Sequence, residues 1–256
     1  MQSERVTADP FLRGRRIAIT GAGRGLGRTL AIIAADHGAE TVLLGRDIDA
    51  LNIVADTIRA RSRCDSLVVA CDLAEPDGIL SACKAVLDKN PIVDVLINNG
   101  APWLEGCLDE LSDTKIASTV AAAVSGTILV TKGLLPGLRQ SNCADIITVV
   151  STSGLPGWDL SGASVPFYAA KHGQAGFSNK LRHELKGTGI RVSAIYPPDF
   201  DDADPTVASW DRAAGENVKI SSREVVSTLF FMLAAPRACN FPIVILEGMP
   251  EGQPGE

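Results

Sequence analysis

A glycine-rich turn near the amino terminus constrains this chain more than any other feature. The turn has the sequence TGAGRGLG over residues 20–27 and directly follows the apolar run IAI over 17–19. Gly21 permits the tight turn, Gly25 leaves room for a diphosphate to approach the backbone, and Gly27 lets the next helix pack closely. The free N–H groups of that helix face the same point. A strand, a glycine-rich turn and a helix in this order indicate a nucleotide-binding site.

Short apolar runs alternate with helical periodicity along the whole chain. Such alternation is typical of a parallel sheet covered on both faces, with right-handed crossovers. The predicted fold is therefore α/β, a single-domain Rossmann-type doubly wound fold with a seven-stranded parallel sheet and helices on both faces. The predicted strands are 17–20, 41–44, 67–70, 93–97, 146–150, 192–195 and 243–246, and the predicted helices are 26–36, 49–61, 79–88, 112–140, 168–186 and 223–234.

Length and composition set the expected organisation. With 256 residues, 46% of them hydrophobic and 21% charged, the chain is expected to form one globular domain over 1–256. The segments 1–10 and 250–256 are predicted to be loose tails, and 197–215 is predicted to form a lid over the substrate.

The charge and cysteine pattern exclude several partners. A net charge of −6 argues against nucleic acid, so Arg13, Arg15 and Arg16 are interpreted as a solvated flank of the first strand. No apolar stretch is expected to span a membrane. The six cysteines are scattered without metal-binding spacing, which favours reduced thiols, a cytoplasmic location and no metal.

The second strand ends at the position that selects the nucleotide. About 20 residues beyond the glycines, this fold uses an acid for NAD or an arginine for the 2′-phosphate of NADP. The chain offers Arg46 followed by Asp47. Asp47 also fits a helix cap, whereas Arg46 and Arg24 favour NADP(H), with NAD(H) as the alternative cofactor. Asp72, after the third strand, fits an adenine contact or a helix cap equally well.

Three side chains suit the reduction of a carbonyl. Ser151 follows a predicted strand and could donate a hydrogen bond to a carbonyl oxygen. Tyr168 could supply the proton, because the ammonium group of Lys171, about one helical turn away, would lower the pKa of the phenol from its ordinary value of ~10.

Together these motifs resemble those of the short-chain dehydrogenase/reductase family, classical type, over nearly the whole chain. The resemblance implies that Ser151 polarises the carbonyl, Tyr168 acts as acid and base, and Lys171 holds the nicotinamide ribose. It also implies a homodimer or homotetramer built on 112–140 and the helix near Tyr168. The motifs that carry the resemblance are Thr20–Gly27, Arg46, Cys71-Asp72-Leu73, Ile97-Asn98-Asn99-Gly100, Ser151–Gly154, Tyr168/Lys171 and Ile195-Tyr196-Pro197. Within these motifs, the residues expected to contact the cofactor also include Leu26, Leu73, Asn98, Asn99, Gly100 and Pro197.

Three positions depart from the family pattern. The family spacing Tyr-x-x-x-Lys places Phe167, rather than Tyr168, at the tyrosine position relative to Lys171. Ala123 stands where a proton-relay asparagine is expected, and Asp202 stands where a threonine near the nicotinamide amide is usual. A carboxylate at that point would disfavour a phosphate.

Two functions follow from these observations. The first is an NADP(H)-dependent oxidoreductase that transfers hydride between nicotinamide and an apolar carbonyl or secondary-alcohol substrate. Here the long segment 155–166 reshapes the start of the helix and redirects Tyr168. The alternative is a catalytically impaired nucleotide-binding protein with a regulatory or structural role, which Phe167 and Ala123 favour.

Overall fold

The structure is a computed structural model that describes residues 11–159, 162–207, 210 and 220–248. The predicted tails, 1–10 and 250–256, lie outside the described residues, as do 208, 209 and 211–215 of the predicted lid.

The described strands form one parallel sheet in the order β3-β2-β1-β4-β5-β6-β7. This order reverses direction between β1 and β4, the point at which doubly wound folds bind ligands. The predicted fold class is confirmed, and the strands agree with the predicted ones to within two residues at each end. The strands are β1 (Arg16–Thr20), β2 (Glu40–Gly45), β3 (Leu67–Ala70), β4 (Val95–Asn98), β5 (Asp145–Val149), β6 (Arg191–Tyr196) and β7 (Ile243–Ile245).

Helices follow the strands, and side chains cap four of those that the structure describes. Asp47 accepts a hydrogen bond from the Ala50 N–H at 3.0 Å and so begins α2, as its cap role predicted. Ser221 and Glu224 form a capping box at the start of α7. The helices are α1 (Gly25–Asp36), α2 (Ile48–Ser62), α3 (Pro76–Lys89), α4 (Asp113–Val120), α5 (Thr127–Leu138), α6 (Val165–Glu184) and α7 (Ser222–Ala234).

Apolar layers bury both faces of the sheet. Ile17 and Ile19 of β1 belong to the cluster that includes α1, α2 and α7, while Ala18 faces the cluster that includes α3 and α5. Since alternate side chains of a strand point to opposite faces, burial on both sides explains why the strands are continuously apolar.

The predicted helix 112–140 is interrupted. A π-helical turn, Ala121–Gly126, separates α4 from α5. By length and composition alone, the combined stretch Asp113–Leu138, of 26 residues, is long and apolar enough to cross a membrane. Val130, Leu134 and Leu138 are buried in the core cluster, and burial accounts for this composition.

Arg13 is exposed, as predicted, but Arg15 and Arg16 are not a solvated flank of β1. Arg15 donates to Asp145 at 2.7 Å, and Arg16 donates to Glu40 at 3.0 Å. Both arginine side chains are only 14% exposed, because Arg15 connects the start of β1 with β5 and Arg16 connects β1 with β2.

Candidate functional site

The glycine-rich turn lies at the carboxyl end of β1 and is packed too tightly for side chains. Gly21 has a φ of +67°, and a Cβ there would lie 2.9 Å from Gly100 Cα. A Cβ on Gly27 would overlap the Gly21 carbonyl oxygen and lie 2.6 Å from Asn99 Nδ2. These contacts explain why glycine is needed at both positions, and they bring the start of α1 close to the loop after β4.

The Thr20 side chain fixes this arrangement. Its hydroxyl accepts hydrogen bonds from the N–H groups of Asn99 at 3.0 Å and Gly100 at 2.9 Å. Asn99 Nδ2 donates to the Thr20 carbonyl at 3.0 Å. Thr20 therefore joins the ends of β1 and β4, a role that sequence reasoning did not assign, because it depends on a contact between distant segments.

The two arginines predicted to favour NADP(H) are exposed at this edge. Arg24 precedes α1 and Arg46 follows β2, and neither forms an ion pair with another described residue. Asp47 is engaged as the α2 cap, which leaves Arg46 as the charged group at the position that selects the nucleotide. Asp72 Oδ1 accepts from the Ala74 N–H at 2.9 Å, and the cap of α3 is Glu75. Asp72 is therefore part of a local turn.

Other predicted cofactor contacts surround the same edge. Leu73 Cδ1 would meet a Cβ on Gly100 at 2.5 Å, so it packs directly on the turn after β4. Leu26 is buried in the first turn of α1. Pro197, at the end of β6, accepts a hydrogen bond from the Thr152 N–H at 3.0 Å, which connects it to the turn after β5.

Ser151 is held in that turn. Its Oγ accepts from the Ser153 N–H at 3.1 Å and lies 3.3 Å from Ser153 Oγ. The backbone φ of 156° at Ser151 belongs to a region that few non-glycine residues adopt, and such strain concentrates at functional sites. A Cβ on Gly154 would lie 2.9 Å from the Lys171 carbonyl oxygen, so this turn packs against α6.

Phe167, rather than Tyr168, faces Lys171. The Ser164 side chain caps α6 by accepting a hydrogen bond from the Phe167 N–H at 3.4 Å. Phe167 and Tyr168 therefore both lie within the helix, after its cap. The Phe167 ring is 6% exposed and has its centroid 5.5 Å from Lys171 Nζ. It also packs edge-on against Trp103, with the centroids 4.8 Å apart.

The Tyr168 hydroxyl points elsewhere. Its oxygen lies 3.1 Å from the Trp158 carbonyl oxygen and 3.1 Å from Asp159 Oδ1. The expected redirection of Tyr168 by segment 155–166 is therefore not present in this structure: that segment holds the phenol. Successive helical residues differ by ~100°, and this offset separates the two neighbouring side chains.

Lys171 is buried among polar partners. Its Nζ donates to Gln174 Oε1 at 3.0 Å and to the Val149 carbonyl at 3.2 Å, and the side chain is only 5% exposed. Burial lowers the pKa of the Lys171 ammonium group to about 7. The neutral amine and the ammonium are thus both accessible forms near neutral pH.

A buried polar chain runs from Lys171 toward β4. Gln174 Nε2 donates to Thr127 Oγ1 at 3.2 Å, and Asn98 Nδ2 donates to Thr131 Oγ1 at 3.0 Å. Thr131 in turn donates to the Thr127 carbonyl at 2.8 Å. Ala123 lies buried on the π-helical turn and supplies no polar group. Sequence reasoning missed Gln174, since nothing local distinguishes a helical glutamine that binds a lysine from one in solvent.

The residues at this edge fit a dinucleotide. Gly25 and Gly27 leave the backbone at the start of α1 without side chains, and two arginines that pair with no acidic residue in the described part of the chain lie at the same edge. One carboxylate, that of Asp202, opposes this pattern. Among the residues that the structure describes, no three His, Cys, Asp or Glu side chains are placed to hold a metal ion.

A parallel doubly wound sheet with a glycine-rich turn at the end of its first strand is typical of dinucleotide-binding folds. The sequence model of the short chain dehydrogenase family matches residues 15–212. The chain therefore belongs to the short-chain dehydrogenase/reductase family.

Known proteins similar to this chain agree with that assignment. Dehydrogenase/reductase SDR family member 7B of Mus musculus is 30% identical over 201 residues, which cover 76% of this chain but only 60% of the mouse protein. The fold matches L-sorbose reductase of Gluconobacter frateurii, solved with NADPH and L-sorbose, with a TM-score of 0.81, 22% identity and coverage of 96% and 99% of the two chains. It also matches an alcohol dehydrogenase of Thermococcus sibiricus, complexed with 5-hydroxy-NADP, with a TM-score of 0.78, 18% identity and coverage of 94% and 99%.

Proposed function

We propose that this chain is an NADP(H)-dependent oxidoreductase that interconverts a carbonyl and a secondary alcohol on an apolar small molecule. The observation that carries the proposal is the convergence of the glycine-rich turn, Ser151 and Lys171 at the carboxyl edge of one parallel sheet. Two exposed arginines, Arg24 and Arg46, support NADP(H) over NAD(H). The NADP-bound structural neighbours are consistent with a nicotinamide cofactor.

Each group would have a distinct task. Gly21, Gly25 and Gly27 would let the backbone approach the diphosphate, and Arg46 would donate to the 2′-phosphate. When bound, the nicotinamide supplies or accepts the hydride. Ser151 would donate to the carbonyl oxygen, and Lys171 would hold the nicotinamide ribose. Tyr168 would deliver the proton only after its hydroxyl leaves Trp158 and Asp159.

A second function is favoured by Phe167. A benzene ring cannot donate a proton, and it occupies the place beside Lys171 where the reaction would use a phenol. A chain with this arrangement could bind NADP(H) without efficient turnover and act in a regulatory or structural role.

The two functions are separated by a pair of aromatic substitutions. NADPH oxidation is measured over a panel of ketones and aldehydes for the wild type, Tyr168→Phe and Phe167→Tyr. For the oxidoreductase, the wild type is active and Tyr168→Phe loses about 10²–10⁴-fold in kcat, the usual contribution of a general acid. For the binding protein, the wild type is inert and Phe167→Tyr gains turnover, since the new phenol lies beside Lys171.

Binding and a control variant complete the test. Calorimetric titration should show tighter binding of NADPH than of NADH, and Arg46→Ala should reduce the preference about tenfold. Phe231→Tyr, which adds a phenol on the exposed face of α7, should behave as the wild type. A wild type that binds neither dinucleotide contradicts both functions.

A further inference from the structure

The segment Asp201–Asp204 crosses the beginning of α1 and is fixed from the α7 side. The Asp201 N–H donates to the Ile220 carbonyl at 2.9 Å, and the Ser222 N–H donates to the Asp201 carbonyl at 2.8 Å. Ser222 Oγ then accepts from the Ala203 N–H at 2.8 Å. These bonds define where the side chain between Asp201 and Ala203 must lie.

Helix α1 holds the same segment from the other side. Arg28 Nη1 donates to Asp204 Oδ1 at 3.1 Å, and Thr29 Oγ1 donates to the Ala203 carbonyl at 3.4 Å. Arg28 lies in the first turn of α1, whose amino-terminal end faces the glycine-rich turn over residues 20–27, called the cradle below. Its charge is therefore engaged by the segment and is not free to attract a phosphate.

These contacts place the carboxylate of Asp202 next to Gly25 of the cradle. A Cβ on Gly25 would lie 3.3 Å from Asp202 Oδ2 and 3.6 Å from Asp202 Oδ1. Gly25, with a φ of +52°, is the glycine whose missing side chain leaves space for a diphosphate. That space faces Asp202 instead, and the carboxylate has no hydrogen-bond donor among the described residues.

We propose that Asp202 competes with the cofactor diphosphate for the glycine-rich turn, and that the dinucleotide binds only when the segment Asp201–Asp204 moves away. This inference rests on the proposed dinucleotide binding. Two anionic groups in one cradle repel each other, so the closed segment and the bound cofactor exclude each other. The apparent affinity is then reduced by the fraction of molecules in which the segment is open. Displacement also breaks the Arg28–Asp204 pair and frees Arg28 for the phosphate.

The test is a calorimetric titration with NADPH of three proteins: the wild type, Asp202→Asn and Asp204→Asn. Asp202→Asn keeps the shape and removes the charge, so its Kd should fall at least about tenfold. Asp204→Asn releases the pair with Arg28 and should also tighten binding. Asp88→Asn, at the exposed carboxyl-terminal end of α3, is the matched control and should leave Kd unchanged.

Hydrogen exchange gives an independent measure of the movement. On addition of NADPH to the wild type, the amides of Ala203 and Ser222 should exchange faster, because their bonds to Ser222 and Asp201 break. If the wild type binds NADPH while Asp202→Asn binds equally or more weakly, or these amides become more protected, the competition is refuted and the proposed function stands. If neither the wild type nor Asp202→Asn binds, the proposed function fails as well.

Discussion

Phe167 and Tyr168 are adjacent in the chain, yet their side chains serve different parts of the molecule. Phe167 packs between Trp103 and Lys171, while the Tyr168 hydroxyl lies on the Trp158–Asp159 segment. The spacing from Lys171 predicts this outcome for Phe167, since four residues complete about one helical turn. The partners of Tyr168 could not be predicted, because they depend on how the segment that precedes α6 folds back onto this helix. What remains beside Phe167 is a buried lysine with an unusually low pKa.

Lys171 should make the stability of the protein depend on pH. Its folded-state pKa of about 7 is below the ordinary value of 10.5, so above pH 7 the unfolded chain binds one proton more than the folded chain. The free energy of unfolding should therefore rise with pH from 7 toward 10.5, by up to about 1.4 kcal/mol per pH unit from this residue. Below pH 7 both states carry the charge, and this dependence disappears.

Urea denaturation of the wild type and Lys171→Met at pH 6, 7, 8 and 9 measures this effect. Methionine fills the same space without a charge, so the free energy of unfolding of the wild type, relative to that of Lys171→Met, should rise steadily from pH 7 to 9. Lys132→Met, a solvent-facing lysine of α5, serves as the control. A pH-independent difference between wild type and Lys171→Met would mean that the buried amine keeps its ordinary pKa.

At the scale of elements, the strands were predictable because each is a short apolar run between turns. The interruption of the predicted helix 112–140 was not predictable, since no residue pattern within this segment resembles a helix end. The π-helical turn lies at a distant contact: Gly126, its last residue, packs directly on the backbone of Leu73 after β3. Leu73 also packs on Gly100 beside the glycine-rich turn. A π-helical turn at this place links the long helix to the cofactor edge, as such turns frequently do at functional sites.

Gly126→Ala tests that link. The added Cβ would overlap the Leu73 carbonyl oxygen and lie 2.8 Å from Leu73 Cβ, so backbone must shift. We expect a loss of about 1–3 kcal/mol in the free energy of unfolding, as for overpacked cores, together with weaker NADPH binding. Thermal unfolding and calorimetric titration measure the two effects.

Gly176→Ala is the matched control for this substitution. Gly176 also lies in a helix, but a Cβ there meets nothing within 4 Å. Alanine should therefore leave binding unchanged and stabilise α6 by about 0.5–1 kcal/mol. Equal changes in the free energy of unfolding for Gly126→Ala and Gly176→Ala would show that Leu73 moves to accommodate the added Cβ at little cost.

At the scale of the whole molecule, alternating strands and helices were sufficient to predict the sheet, its parallel direction and the edge that carries the site. The competing contact of Asp202 with Gly25 was only partly predictable. The sequence places a carboxylate at an unusual position, but its direction depends on hydrogen bonds from the same segment to Ser222 and, 174 and 176 positions away, to Thr29 and Arg28. Assembly into oligomers belongs to this scale too, and the described surface offers apolar side chains on the helices expected to form it.

Ile128 tests the expected dimer or tetramer. It lies in the first turn of α5, 40% exposed, on the helical region that resemblance to the family assigns to subunit contact. Removing such a side chain from water favours association, and a stable interface buries about 800 Å² on each partner. We expect size-exclusion chromatography with light scattering to give a dimer or tetramer for the wild type and smaller species for Ile128→Glu, because a buried unpaired carboxylate opposes contact. Ile53→Glu, on α2 and 64% exposed, should keep the wild-type mass. A monomeric wild type, or an unchanged mass for Ile128→Glu, would place subunit contact elsewhere or exclude it.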